Sequence, residues 1–245
     1  MTNLSYICPI SLKIDMKNKS LLLLVVITLC FVTLSSAQRR KAKGTVNIVN
    51  GIAVGGGITQ YDILTDDFNF VNTSGWIVGM SATVDIPHKI FNLSYGMQIS
   101  QNELSLAAKP SALSTTKLNV DYKLLTAQLA FLWHFKLGTD HVTLDIGPML
   151  QYNSELEIKD KELKPLLLEG FTNATAGDIS NINNFNFNGA VGLTAGISHF
   201  KLRAQYMYGI TNILGSLNKT DFAKAEAKQF KGNQSMLALT AMISF

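Results

Sequence analysis

Residues 235–245 read Ser-Met-Leu-Ala-Leu-Thr-Ala-Met-Ile-Ser-Phe, and more about the fold follows from them than from any other segment. Large apolar side chains alternate here with small or polar ones. Because successive side chains of a strand point to opposite sides, Leu237, Leu239, Ala241, Ile243 and Phe245 share one face. The segment therefore predicts a β-strand with an apolar face that ends on an aromatic residue. A soluble domain rarely ends on such a strand without a polar tail.

Seven further segments show the same alternation, so the sequence predicts eight strands. The pattern is clearest in 119–137, where Leu125, Leu129 and Phe131 lie on one face and Thr126 and Gln128 on the other. The predicted spans are 46–61, 75–86, 90–102, 119–137, 140–153, 185–198, 200–213 and 234–245.

The face opposite the large apolar residues is rich in Gly, Ser, Thr, Asn and Gln. In a soluble sandwich this second face meets water and commonly carries charges. Small and neutral polar side chains instead suit the crowded interior of a narrow barrel. We therefore expect the polar face to line a lumen and the apolar face to meet lipid.

The connections between the predicted strands alternate between short and long. Short turns fall near 87–89, near 138–139 and at His199, whereas the long connections are 62–74, 103–118, 154–184 and 214–233. This sorting is typical of an up-and-down transmembrane barrel with periplasmic turns and extracellular loops. The predicted fold class is all-β, an eight-stranded antiparallel up-and-down transmembrane β-barrel occupying 46–245.

The segment before the barrel has the features of a cleavable signal peptide. Lys17 and Lys19 precede an apolar run, 21–34, and the small residues Ser35, Ser36 and Ala37 follow it. These features predict that 1–37 is the signal peptide segment and that 38–45 is a short tail. Within 1–37, we expect translation to start at Met16. A retained membrane anchor is the alternative.

Removal of this segment changes the cysteine count and the charge. Cys8 and Cys30 both lie within it, so the mature chain would have no disulfide and no thiolate metal site. The formal charge of +4 includes three lysines against one aspartate in this segment, so cleavage leaves about +2. No basic stripe remains, and we expect no nucleic-acid partner.

Three internal segments and the terminal strand carry a resemblance to a known family. The internal segments are Ile146-Gly147-Pro148-Met149-Leu150-Gln151-Tyr152, the run Gly-Ala-Val-Gly-Leu-Thr-Ala-Gly at 189–196, and Gln-Tyr-Met-Tyr-Gly-Ile-Thr-Asn-Ile at 205–213. Together with the glycine-rich Gly51–Gly57, they make the chain resemble the PorT-like outer-membrane β-barrel proteins over most of 46–245. The resemblance implies a small outer-membrane barrel and, from one member, assistance to a protein-secretion system. It implies no catalytic residue.

Charged residues on the predicted inward face are few, and all fall close to the short-turn ends of the strands. They are Asp85, Lys136, Asp145, Lys201 and Arg203. Because an unpaired buried charge is very costly, we expect these residues to pair across the lumen, with Arg203 contacting Asp145 or Asp85. Eight strands leave little room beyond their own side chains, which favours a structural plug. A gate or an ion path is the alternative.

The sequence points to a structural or partner-binding protein in the outer membrane of a Gram-negative bacterium. The histidines (His88, His134, His141 and His199) fall around the short-turn rim, so we expect no enzyme activity, no cofactor and no metal site. The expected partners are outer-membrane lipid, the barrel-assembly machinery through the terminal strand and its signal Phe245, and a protein bound at loops 154–184 and 214–233. A small-solute transport protein and a secreted soluble lipocalin-like barrel stay open as alternatives.

Overall fold

The computed structural model describes residues 48–86, 88–111, 113–138, 141–171 and 173–245. Its main elements are eight strands. They are β1 (Ile52–Leu64), β2 (Ser74–Val84), β3 (Phe91–Lys109), β4 (Leu118–Lys136), β5 (Val142–Asn153), β6 (Phe185–Ile197), β7 (Phe200–Gly209) and β8 (Asn233–Ser244). The predicted signal peptide 1–37 and tail 38–45 lie outside the described residues.

The eight strands close into a ring. Each pairs antiparallel with the next along the chain, from β1–β2 to β7–β8. The last strand returns to the first, with pairs running from Ala53↔Ser244 to Leu64↔Asn233. Because every edge is paired, the barrel has no open strand edge. The eight-stranded antiparallel up-and-down barrel is confirmed, as is the pairing of the terminal strand with the first.

The connections are sorted between the two ends as predicted. Turns 85–90, 137–141 and 198–199 mark what we call the short-turn end. Connections 65–73, 110–117, 154–184 and 210–232 mark the loop end. No helix in the described part of the chain is both long and apolar enough to cross a membrane.

The two faces of the barrel wall differ in polarity. Large apolar side chains point outward and are exposed on all eight strands, for example Ile58, Leu129 and Leu239. Buried polar side chains such as Ser100 and Gln151 point into the lumen. The chain therefore places its polar side chains inside and its apolar side chains outside, as the alternation predicted.

Strands β3 and β4 differ from the prediction at the loop end. Residues 103–109 were expected in a loop, but they continue β3 and pair with the start of β4 up to Ala108↔Leu118. The alternation changes phase here: Leu104, Leu106, Val120 and Tyr122 point inward and are buried. The prediction recognised a strand by apolar residues on its outward face, so it ended both strands at this point. The paired strands themselves continue. Other predicted ends also differ, since β1 spans Ile52–Leu64 where 46–61 was predicted, and β7 stops at Gly209 where the prediction ran to 213.

The loops fold onto this projecting hairpin. Two-residue strands at Val71–Asn72 and Leu167–Leu168 pair with β3, and Glu157–Ile158 pairs with β4. The loops also contain short helices. They are the 3₁₀ turns Lys161–Leu163, Asp178–Ser180 and Leu217–Lys219, and α1 (Asp221–Ala225). We call the projecting hairpin (103–123) together with the loops of this end the loop-end cap.

Candidate functional site

A buried ionic cluster occupies the lumen near the short-turn end, with Asp145 at its centre. The carboxylate of Asp145 is fully buried and lies 3.3 Å from Nε of Arg203 and 2.6 Å from Nδ1 of His134. It also accepts hydrogen bonds from the hydroxyl groups of Thr143 and Thr194. With this many partners, the buried carboxylate is well satisfied.

Strand register explains why these residues meet. His134 on β4 is directly opposite Asp145 on β5, and Asp145 is opposite Gly192 on β6. Arg203 on β7 is opposite Thr194, one inward position from Gly192. Four neighbouring strands thus bring one inward side chain each to about the same depth, and Gly192 leaves space between them.

The five predicted lumen charges form two groups. Arg203 contacts Asp145, as predicted, and Lys201 is buried on the same face of β7. Asp85 and Lys136 lie at the rim, where their side chains form a 3.4 Å ion pair and are 52% and 27% exposed. The register places this second pair at the ends of β2 and β4, outside the desolvated lumen.

His134 was predicted to lie near the short-turn rim with the other histidines, and the structure places it in the buried cluster. Its Nδ1 faces Asp145, and its Nε2 lies 2.6 Å from Oγ of Ser94. The residue is only 5% exposed. Its position on the inward, even-numbered face of β4 was the available signal. Depth and partner could not be read from alternation alone.

The side chains of Ser94, His134 and Asp145 contact one another in the sequence nucleophile, base and orienting carboxylate. Serine hydrolases use this order, but a hydrolase also needs space for an ester beside the serine. The cavity that Ser94 lines has a volume of about 30 Å³, which admits water or a small ion and no acyl chain. The arrangement can therefore relay a proton within the lumen without holding such a substrate.

A layer of amide side chains fills the lumen closer to the loop end. Oε1 of Gln151 accepts hydrogen bonds from Gln128 at 2.6 Å, Gln234 at 2.8 Å and Asn188 at 2.9 Å. All four residues are at most 2% exposed. We call these residues the amide layer. It crosses the lumen from β4 to β8.

Beyond the amide layer, the loop-end cap holds the larger part of an apolar core, which continues into the barrel through residues such as Leu132 and Met207. Aromatic rings from three loops meet there: the Phe68 and Phe230 centroids are 5.2 Å apart, and those of Phe68 and Phe171 are 5.1 Å apart. Leu168, Ile179 and other loop residues pack in the same cluster as the inward side chains of β3 and β4. Leucines of the longest loop contribute as well, since Leu168 belongs to this core and Leu163 and Leu166 pack against it.

Ion pairs fasten the outside of the cap. Lys159 lies 2.6 Å from Glu103, and Lys117 at the hairpin tip lies 2.6 Å from Glu169. The hydrogen bond from Lys117, with the nearby charge of Lys109, holds the pKa of Glu169 below its ordinary value. Within the described residues, no group of three or more His, Cys, Asp or Glu side chains is arranged to hold a metal ion.

A groove of about 610 Å³ opens on the surface of the cap between loops 65–73 and 210–232. Its lining combines aromatic and polar side chains. They include Asp66, Phe68, Asn69, Phe70, Tyr208 and Lys231. A volume of this size lies within the range of ligand-binding sites in proteins.

Comparisons with known proteins add little to this description. No protein-family model matches the chain, and no curated protein sequence matches it. Among solved structures, the chain is similar to Ail, the attachment invasion locus protein of Yersinia pestis, crystallised with the heparin analogue sucrose octasulfate. The match covers 80% of this chain and 100% of Ail, with a TM-score of 0.40 and 12% sequence identity. The fold assignment rests on the strand pairing of this chain itself.

Proposed function

We propose that the protein is an outer-membrane β-barrel with a closed lumen that binds a partner through its loop-end cap. The observation that carries the membrane assignment is the continuous outward apolar face. On β4 this face runs from Leu125 to Phe135, about 33 Å along the strand at ~3.3 Å per residue. A tilt of about 40° reduces this to about 25 Å, the height of the apolar band in outer-membrane barrels.

The same face argues against a soluble lipocalin-like barrel. Such a barrel would expose this large apolar surface to water, although soluble monomers rarely expose contiguous apolar patches of more than a few hundred Å². Membrane fractionation tests this part of the proposal. The mature chain should stay in the membrane fraction until detergent is added, and recovery in the soluble fraction would contradict the proposal.

The filled lumen supports a structural or binding role over solute transport. The ionic cluster, the amide layer and the core of the cap succeed one another along the lumen, and each consists of buried side chains. In planar bilayers the purified protein should therefore give no discrete conductance steps. Reproducible single-channel steps would favour the small-solute transport alternative.

The loop-end cap is the part of the protein best suited to bind a partner. It holds the larger part of the apolar core, and its surface carries the 610 Å³ groove. A photo-crosslinking side chain at Phe70, in the groove, should give a discrete adduct on intact cells. The same group at Leu239, in the apolar band, is the control and should react with lipid alone. Identical products from both positions would contradict a binding role for the groove.

Because the chain resembles the PorT-like proteins, the proposal includes a partner that belongs to a secretion or surface complex. The proposal includes export by the signal peptide 1–37 and assembly directed by the terminal strand. Phe245 lies at the short-turn end, is 73% exposed, and its backbone N–H donates to Ile52. A Phe245→Ala variant should reach the membrane in smaller amounts, and an unchanged level would contradict the role of Phe245 as an assembly signal.

A further inference from the structure

The buried ionic cluster carries more positive than negative charge. Lys201 and Arg203 both lie in the lumen, and both face the single carboxylate of Asp145. Within the described residues, Asp85 is taken up by Lys136 at the rim, and no ion pair joins Lys201 to a carboxylate. Two cationic side chains, Lys201 and Arg203, thus share one carboxylate. An uncompensated charge in such an environment is costly.

A cavity of about 30 Å³ lies beside Arg203, one of these two cationic side chains. Arg203, Gln205 and Thr240 form one side of it, whereas Gly79 and Gly96 face it from β2 and β3. At either glycine a Cβ would come within 3.0 Å of a neighbouring strand, so both backbones pack closely beside the cavity space. The space is large enough for an ordered water or a small ion.

Two donor groups point to what this cavity holds. Nε2 of Gln205 is buried and has no hydrogen-bond partner among the described residues. Arg203 also lines the cavity, and its Nε contacts Asp145 and Thr194. Buried amide N–H groups are normally hydrogen-bonded, so an unpartnered donor on a cavity wall indicates an acceptor inside it.

We infer that this cavity is a binding site for one small monovalent anion of the halide class, with chloride as the physiological ligand. The anion accepts hydrogen bonds from Gln205 and Arg203 and supplies the missing negative charge. A water molecule would satisfy the donors but not the charge. The site is independent of the partner proposed for the loop-end cap, so either proposal can fail without the other.

Crystals of the wild-type protein grown with sodium bromide in place of sodium chloride test the site directly. Bromide scatters anomalously and water does not. We expect one anomalous peak inside the barrel, within hydrogen-bonding distance of Gln205 Nε2. Density at that position without anomalous signal would show water and would overturn the inference.

Thermal unfolding in detergent micelles gives a second, functional measure. At constant ionic strength, replacing gluconate by chloride should raise the melting temperature by several degrees, because a ligand that binds only the folded state stabilises it. Gluconate is too large for the cavity. An equal melting temperature in the two salts would contradict chloride binding.

Matched variants separate the site from general effects of salt. Gln205→Met keeps the length of the side chain and removes the unpartnered donor, so most of the chloride-dependent shift should be lost. Gln234→Met removes a buried amide from the amide layer, away from the cavity. It should lower the melting temperature in both salts and keep the shift. A full shift in Gln205→Met would contradict the assigned site, and the bromide experiment decides the question if this variant does not fold.

Discussion

Strands β3 and β4 belong to both the barrel and the loop-end cap. Their apolar side chains point outward in the barrel and inward in the cap. Along the barrel part of β4, Leu125, Leu129 and Phe131 point outward and Thr126 and Gln128 point inward. A few residues earlier on the same strand, the apolar side chains point inward and Asn119, Asp121 and Lys123 point outward. The backbone pairing continues unchanged through this reversal. Because the strand pairing is the same in both parts, it does not determine which face is apolar.

The reversal also separates two kinds of stability. The cap is held by apolar packing, as in a water-soluble domain. In the proposed membrane barrel, lipid surrounds the outward side chains, so the specific contacts between side chains are the polar contacts of the lumen. Hydrogen bonds and ion pairs are therefore more critical inside the barrel than inside the cap.

The largest expected effect comes from breaking the polar interior of the barrel. Asp145→Ala removes the carboxylate that compensates Arg203, and leaving a buried charge unpaired typically costs about 3–5 kcal/mol. Asp85→Ala breaks only the exposed rim pair and should change stability by less than about 1 kcal/mol. Urea unfolding of the refolded protein in lipid vesicles measures both. Equal losses in the two variants would show that depth in the lumen does not matter.

The next effect tests the outer face on the two sides of the reversal. Leu129→Arg places a charge in the middle of the apolar band, where an arginine on the lipid face costs about 2–4 kcal/mol. Asn119→Arg is the matched change on the same strand and face, above the reversal, and should alter the free energy of unfolding by no more than about 0.5 kcal/mol. A tolerated arginine at Leu129 would remove the evidence that this face meets lipid.

A smaller effect is expected from the core of the cap. Phe230→Leu removes stacked contacts with Phe68 and should destabilise the cap by about 1–2 kcal/mol. Because the cap holds the larger part of the apolar core, proteolysis of 154–184 and 210–232 should become faster while the barrel keeps its unfolding transition. Loss of the barrel in parallel with the cap would show that the two are one cooperative unit.

The smallest effect is the pH dependence of the hairpin tip. The pKa of Glu169 is lowered in the folded protein by Lys117, so its contribution is present above the ordinary glutamate value of 4.5 and is lost as the pH falls through the lowered value. The protection of 110–117 against hydrogen exchange, corrected for the intrinsic pH dependence of the exchange rate, should therefore fall only at acid pH. Glu169→Gln should show the lower protection already at neutral pH, and a variant indistinguishable from wild type would remove Glu169 from this role.

Much of the fold could be predicted from alternation because an eight-stranded barrel repeats one simple pattern. Eight strands, the two classes of connection and the closure of β8 on β1 all follow from it. The projecting part of β3 and β4 could not be predicted in this way. Its apolar residues (Leu104, Leu106, Val120 and Tyr122) lie on the inward face, whereas the large apolar residues of the barrel wall lie on the outward face.

The lumen was predictable by face but not by depth. Alternation placed Arg203, Asp145 and His134 inward, and the cost of buried charge predicted the pair between Arg203 and Asp145. The role of His134 depends on its position opposite Asp145. The separation of Asp85 and Lys136 from the buried cluster depends on the tilt and register of four strands. These quantities are set by strand pairing and are not encoded in any single strand.

Site-directed spin labelling along the outward face of β4 tests the central claim most directly. Nitroxides at the odd positions from Asn119 to Phe135 report whether each site is reached by oxygen, which concentrates in lipid, or by a water-soluble nickel complex. We predict access for the nickel complex at Asn119, Asp121 and Lys123, and access for oxygen from Leu125 onward. Access for the nickel complex along the whole face would contradict a membrane-embedded barrel whose polarity reverses at the cap.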